Sequence, residues 1–231
     1  MIKADKDTDA RYEFLRNRHG KKNPQANGYR IGSFFEREQR IISSALEKEN
    51  GPFVDVACGS GLMLEPLLKD GHTVYGLDYN KDACIGARDN GITILRGDAF
   101  QMPFPDNTIG QIINCQFLNQ QTADQTQKFI EESARVLKKG GRLIILWRHA
   151  RSVIHKTSHT VFTFLDKFTG QPPFPQYEHP MQEIKDFAEN AGLNVKKEAV
   201  TMPFLKPDTI CSDGIPAKVI GASLFIVLEK I

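Results

Sequence analysis

The sequence lacks any run of about 18 apolar residues, the length a helix needs to cross a bilayer, and its opening stretch from Met1 to Phe14 is charged rather than apolar. A secretory hydrophobic region is thereby excluded from that stretch, and a cytoplasmic protein is expected. The four cysteines, Cys58, Cys84, Cys115 and Cys211, stand far apart and never form the Cys-x-x-Cys pairs of zinc or redox sites. Reduced thiols and no metal centre follow as expectations. His155 and His159 share a helical spacing, yet no acidic ligand accompanies them in a metal-binding motif. Charge of one sign is also missing: 30 basic against 28 acidic side chains leave +2, too weak a field to gather nucleic acid. The short basic clusters Arg16 to Lys22 and Lys138 to Arg142 read as solvated faces or loops. Internal repeats and low-complexity tracts are absent.

What is present is a chain of 231 residues, 40% hydrophobic and 25% charged, enough for one substantial core and hence a single domain. Phe34, Phe35, Ile41, Ile42, Ala45 and Leu46 recur at helical intervals until Asn50-Gly51-Pro52 stops the pattern. Strands are then expected at Phe53–Ala57, Thr73–Leu77, Thr93–Gly97, Gln111–Asn114 and Arg142–Trp147, alternating with helices at Leu62–Lys69, Lys81–Asp89 and Thr126–Leu137. Such alternation through short turns implies a parallel sheet covered on both faces, because a parallel crossover must carry a connecting element. After His149 the rhythm breaks over Gly170, Pro172, Pro173, Pro175 and Pro180, and a helix Met181–Ala191 ends at Gly192. Strands Asn194–Met202 and Lys218–Leu228 could then pair as an antiparallel edge. The expected class is α/β, a doubly wound, mostly parallel seven-stranded sheet with an antiparallel C-terminal strand. Its divisions are an N-terminal segment (1–33), a cofactor-binding core (34–149), a substrate-side insertion (150–180) and a C-terminal helix with edge strands (181–231).

The informative block is Val54-Asp55-Val56-Ala57-Cys58-Gly59-Ser60-Gly61, a strand running straight into a glycine turn and a helix. Small residues there let backbone approach a ligand closely, and ligands of doubly wound sheets sit at the carboxyl ends of the strands. By itself the spacing is equally that of a tight strand-to-helix turn. The next strand, Val74-Tyr75-Gly76-Leu77-Asp78, ends on a carboxylate about 20 residues later, where it could accept hydrogen bonds from ribose hydroxyls or cap a helix. A dinucleotide fingerprint would share both features, but Leu64 stands where its third glycine belongs. Hydride transfer by an NAD(P)-dependent oxidoreductase is the alternative enzyme, and a non-catalytic cofactor-binding or interaction module the alternative from another class.

Asp55-x-Ala57-x-Gly59-x-Gly61 resembles motif I of class I S-adenosylmethionine-dependent methyltransferases, with Ala57 at a position that is usually glycine. Gly97-Asp98-Ala99-Phe100-Gln101-Met102-Pro103-Phe104-Pro105-Asp106 and Arg135-Val136-Leu137-Lys138-Lys139-Gly140-Gly141-Arg142-Leu143 extend the likeness, in order, to the ubiquinone and menaquinone biosynthesis (methyltransferase type 11) group. Gly110 departs from it where relatives often carry an acidic residue, and Lys139 where they often carry proline. The resemblance implies a Rossmann-like methyltransferase fold and S-adenosyl-L-methionine as cofactor. It also implies Ala57, Cys58, Gly59 and Gly61 under the methionine part, Asp78 on the ribose, Tyr79 against the adenine ring, Asp98 and Ala99 on the adenine edge, and Asn114 beside the sulfonium. On the residues alone, Asp98 would as well cap a turn, Phe100 belong to the core and Asn114 tie down a loop.

An activated sulfonium needs orientation more than acid–base help. Should the acceptor have to lose a proton, His149 at the end of the fifth strand is the candidate base. The acceptor is expected to be a small or lipid-like molecule, chosen by the N-terminal segment up to about Phe35 and by the insertion. The insertion's Phe162, Phe164, Leu165, Phe168, Phe174 and Tyr177 suit either an apolar pocket wall or a peripheral helix completing the core.

Overall fold

Strand β1 (Phe53–Val56) is buried at every position, and β4 (Ile109–Cys115) at all but its last. Runs of this kind cannot have a wet face and must lie in the middle of a covered sheet. The computed structural model, which describes residues 13–15, 17–20, 32–149, 160, 168, 176–201, 210–211 and 223–231, places them side by side. The other strands are β2 (Val74–Asp78), β3 (Thr93–Arg96), β5 (Leu137–Arg148), β6 (Leu193–Thr201), β7 (Ile210–Cys211) and β8 (Ser223–Lys230), in the order β3-β2-β1-β4-β5-β8-β6-β7. The block from β3 to β5 is parallel, and β8, β6 and β7 join it antiparallel. The chain winds outward from β1 to β3, then reverses to β4, so the switch point lies between β1 and β4.

All seven expected strands occur, and the two-residue β7 adds an eighth. The last pair forms the expected antiparallel edge of the sheet, and within it β8 lies between β5 and β6. The reason is in its composition, Ser-Leu-Phe-Ile-Val-Leu, six successive buried residues that an edge could not cover. β6 carries Asn194 to Lys197 exposed and suits the periphery. The expected strand residues 218–222 lie outside the described residues, as does most of 150–180, including Phe162, Phe164, Leu165 and Phe174.

Among the described residues, the helices that cover the sheet are α1 (Gly32–Ala45), α2 (Glu65–Lys69), α3 (Lys81–Asp89), α4 (Ala123–Val136) and α5 (Met181–Asn190). Alternate strand residues feed two cores. Val54, Val56, Ile112, Ile145, Trp147 and Ile226 pack with Phe129 and Ile130 of α4 and Ile184 of α5. Phe53, Ile113, Ile144, Leu146 and Phe225 pack with Phe35, Ile41 and Ile42 of α1, Leu67 of α2 and Ala87 of α3. α4 starts on a capping box between Thr122 and Gln125. It ends where Lys230 Nζ donates to the carbonyls of Ala134 (2.6 Å) and Leu137 (2.9 Å).

Gly110, one of the departures from the family pattern, sits at a register shift between β4 and β5. A Cβ there would lie 2.0 Å from the Asn50 carbonyl oxygen and 2.7 Å from that of Gly51. No side chain fits against this backbone, which the buried Gln111 also holds through hydrogen bonds to Glu47. Gly110→Ala is therefore expected to lower stability by about 1–3 kcal/mol, read as a lower urea midpoint at constant slope. An unchanged midpoint would show that the Asn50–Gly51 turn yields freely.

Candidate functional site

Leaving β1, the chain must reverse within five residues, and it does so with Ala57 (φ 59), Gly59 (φ 56) and Gly61 (φ 74) in the left-handed region. Glycine enters that region freely, whereas alanine does so only under constraint from its surroundings. The constraint is the Leu77 carbonyl, which accepts from the N–H groups of Ala57 (2.8 Å) and Cys58 (3.2 Å). Gly61 has a second reason to be glycine, since its Cβ would meet Ile92 at 2.6 Å. Leu64, in place of a third glycine, is fully buried in the core below the turn.

Asp78 closes the turn. Its Oδ2 accepts from the Gly59 N–H at 2.8 Å and its Oδ1 from the Asn80 N–H at 2.8 Å. It is not the cap of α3; that role belongs to Asn80, whose side chain accepts from Asp82 and Ala83. A carboxylate offers about four acceptor positions, so holding these two amides is compatible with further donors. Tyr79, 40% exposed, presents its ring beside the Arg96 guanidinium at 5.9 Å, and Arg96 Nε donates to the Tyr79 carbonyl.

The loop after β3 carries Asp98, whose Oδ1 accepts from the Phe100 N–H at 2.9 Å, the turn-capping alternative observed. Ala99 is buried, and the half-buried Phe100 packs against Phe117. This loop is clamped from α4. Glu132 accepts from the Met102 N–H at 2.6 Å, and Arg135 donates to the carbonyls of Met102 (3.1 Å) and Phe104 (3.0 Å) and to Asp106. The two later sequence motifs are thus halves of one contact.

Asn114, fully buried at the end of β4, donates from Nδ2 to the Val56 carbonyl at 2.9 Å, which ties β4 to the root of the turn. Its Oδ1 is buried and meets no donor among the described residues. His149 follows β5 and is half-buried, three strand positions from β2. The fold therefore gathers Ala57, Cys58, Gly59, Gly61, Asp78, Tyr79, Asp98, Ala99 and Asn114 over β1–β4, with His149 on the neighbouring strand end.

Several site residues escaped the sequence reading. Asp55, part of the quoted motif but given no role, is 2% exposed beneath the turn. Burial, then the Asp78 charge, pushes its carboxyl well above the usual carboxylate range. Burial first, then Asp78 and Asp55, pushes the Cys58 thiol up as well, leaving it a packing group rather than a nucleophile. Asn119 is nearly buried and fixes both described ends of the insertion: its Oδ1 accepts from the Arg148 N–H at 2.8 Å, and its carbonyl accepts from the Tyr177 N–H at 2.8 Å. Beside it, buried His179 sets Nδ1 2.8 Å from Glu183 and Nε2 2.9 Å from the Gln121 carbonyl. A polar residue between apolar helix positions or in a short turn looks solvated in a sequence, so Asn119 and Glu38 of α1 gave no signal.

Residues 54–145 match the model of a methyltransferase domain. A demethylmenaquinone methyltransferase of Corynebacterium kroppenstedtii is 30% identical over 127 residues, 54% of this chain and 55% of that protein. A ubiquinone biosynthesis O-methyltransferase of Coxiella burnetii is 28% identical over 173 residues, 68% of this chain and 69% of that protein. The chain spans about half the length of several curated relatives it matches. A magnesium protoporphyrin IX methyltransferase of Synechocystis, solved with bound SAH, shares the fold at a TM-score of 0.65 and 16% identity, covering 98% of this chain and 100% of that one.

Asp55 yields a signed pH prediction. Its folded-state pKa is raised, so the native state resists its ionisation while the unfolded chain ionises freely. The resulting destabilisation is absent below the ordinary carboxylate range and grows as pH rises above it. Asp55→Asn should raise the melting temperature at pH 7 and leave it little changed at about pH 3, where Asp55 is protonated in the folded and the unfolded chain alike. Equal effects at both pH values would show that Asp55 contributes no linked proton.

Proposed function

We propose, from the match of residues 54–145 to the methyltransferase-domain model, that this chain transfers the methyl group of S-adenosylmethionine to a small-molecule or lipid-like acceptor. The observation that carries the reading is the left-handed Ala57–Gly61 turn closed onto the Asp78 carboxylate, at the switch point where such sheets bind ligands. The residues present fit the cofactor. A backbone turn with little side chain suits its methionine part, Asp78 its ribose hydroxyls, Tyr79 its adenine face, and Asp98 with Ala99 the adenine edge. Buried Asn114 Oδ1 is an acceptor awaiting a donor beside them.

When bound, S-adenosylmethionine supplies a methyl already activated on sulfonium. The chain's own task is then to hold donor and acceptor in line and to exclude water, effects worth up to about 7–11 kcal/mol when the geometry is near-attack. His149, at the end of β5 on the acceptor side, takes up a proton from acceptors that must lose one. We assign the choice of acceptor to residues 150–180. The support for that is Asn119, which bonds both Arg148, just before them, and Tyr177, near their end. Relatives named for quinone methylation favour an acceptor with a ring and an apolar tail. No helix among the described residues is long and apolar enough to cross a membrane, and we place the protein in the cytoplasm. Buried Leu64, filling the place of a third glycine, argues against a dinucleotide.

A ligand at 100 times its Kd stabilises the native state by about 2.7 kcal/mol, a rise of roughly 5–10 °C in melting temperature for a chain of this size. S-adenosylmethionine or S-adenosylhomocysteine should produce that rise and NADH none; the reverse pattern would overturn the reading. Asp78→Ala should weaken S-adenosylhomocysteine binding at least about tenfold by calorimetry, since charged hydrogen bonds are worth about 1.5–3 kcal/mol. Unlike a residue bonding ribose alone, it should also loosen the turn, read as faster amide exchange at Gly59.

A further inference from the structure

Outside the glycine turn, one group of polar side chains with little access to water lies at the ends of β4 and β5 and the start of β8. Glu38 of α1 is 5% exposed, and three side chains donate to its carboxylate. Gln116 Nε2 reaches Oε1 at 2.7 Å, Ser223 Oγ reaches Oε1 at 2.8 Å, and Cys115 Sγ lies 3.6 Å from Oε2. A carboxylate is removed from water only where donors replace its hydration, so this is an anchor built from a helix and two strand ends. The neighbouring Gln39 Nε2 donates to the Leu62 carbonyl at 2.8 Å, which sets α1 across the carboxyl edge from the glycine turn to β8.

Gln116 is the unusual member. It is a non-glycine residue at φ 62, held there by its N–H donating to the Leu146 carbonyl at 2.7 Å and its own carbonyl accepting from Gln120 Nε2 at 3.2 Å. Residues kept in that region by their surroundings cluster at functional sites. With Nε2 committed to Glu38, its Oε1 is turned elsewhere, and there it is buried and meets no donor among the described residues. A carboxamide oxygen can only accept. The end of β4 thus has two sides: Asn114 is tied toward β1 and the glycine turn, Gln116 toward β5 and α1.

We infer that Gln116 is a specificity-determining contact for the methyl acceptor, its Oε1 taking a hydrogen bond from an N–H or O–H of that molecule, with Glu38 as its positioning residue. The inference rests on the methyltransferase reading and deepens it: the acceptor class is one with a hydroxyl or amine donor next to the transfer point. A site holding a buried acceptor discriminates strongly, because an analogue without the donor leaves that oxygen unpaired.

The test is calorimetric titration of catechol, which has two O–H donors, and of 1,2-dimethoxybenzene, the same ring with none, into the chain saturated with S-adenosylhomocysteine. Wild type should bind catechol at least about tenfold more tightly, and Gln116→Leu and Gln116→Met should bring the pair within about twofold while S-adenosylhomocysteine affinity holds within about twofold. Glu38→Gln, with its melting temperature as control, should lose part of the same preference. A preference that survives in both Gln116 variants, or none in wild type, overturns the inference. A parallel fall in S-adenosylhomocysteine affinity also overturns it, because the donor is then the cofactor's ammonium. Failure of wild type to bind S-adenosylhomocysteine is seen before any ring compound is added and sinks the methyltransferase reading itself.

Discussion

A chain that must leave a buried strand and bare its backbone at once can do so only in a left-handed turn, and such a turn needs outside support. Here the support is the end of β2: the Leu77 carbonyl takes the amides of Ala57 and Cys58, and Asp78 takes that of Gly59. Holding alanine in that region costs about 1–2 kcal/mol, which these hydrogen bonds offset. The neighbouring features follow from it. Gly76 must be small because a Cβ there would meet Cys58 Sγ at 2.7 Å, and Asp55 and Cys58 hold their protons more tightly because they are buried beside the same Asp78 charge.

The carboxyl edge is divided by chemistry. Over β1 to β3 the groups presented are backbone amides, small residues and two surface carboxylates, suited to a ligand with a sugar and a base. Over β4, β5 and β8 they are side chains that bond one another, the buried Glu38 and Ser223 and the partly buried Gln116, whose Oε1 is left over. The first set is held by strand ends, whose spacing the sheet dictates. The second is held by Glu38 of α1, outside the core motifs. The two halves of the edge therefore depend on different elements of the fold.

The motif after β3 and the motif that begins at the end of α4 meet in one contact. Glu132 and Arg135 bond the backbone of Met102 and Phe104, so the loop bearing Asp98 is positioned by a helix on the far side of the core. Arg135 is planar and forked, and bonds two carbonyls and two carboxylates at once; lysine would not replace it.

The sequence by itself determined the α/β class, the parallel block and the glycine turn with Asp78. These rest on local periodicity and on residues fewer than about 20 apart, which the chain's own spacing encodes. It also marked Asp98 and Asn114, each with the alternative of bonding to backbone, and both make such a bond. Only the tertiary structure decided that β8 enters between β5 and β6, that Gly110 yields its side-chain space to Asn50, and that Glu38, Gln116 and Ser223 meet. Glu38 and Ser223 lie 185 positions apart in sequence, and no pattern of period 2 or 3.6 reaches that far. Burial and pairing across such distances come from packing, which the linear order of residues does not display.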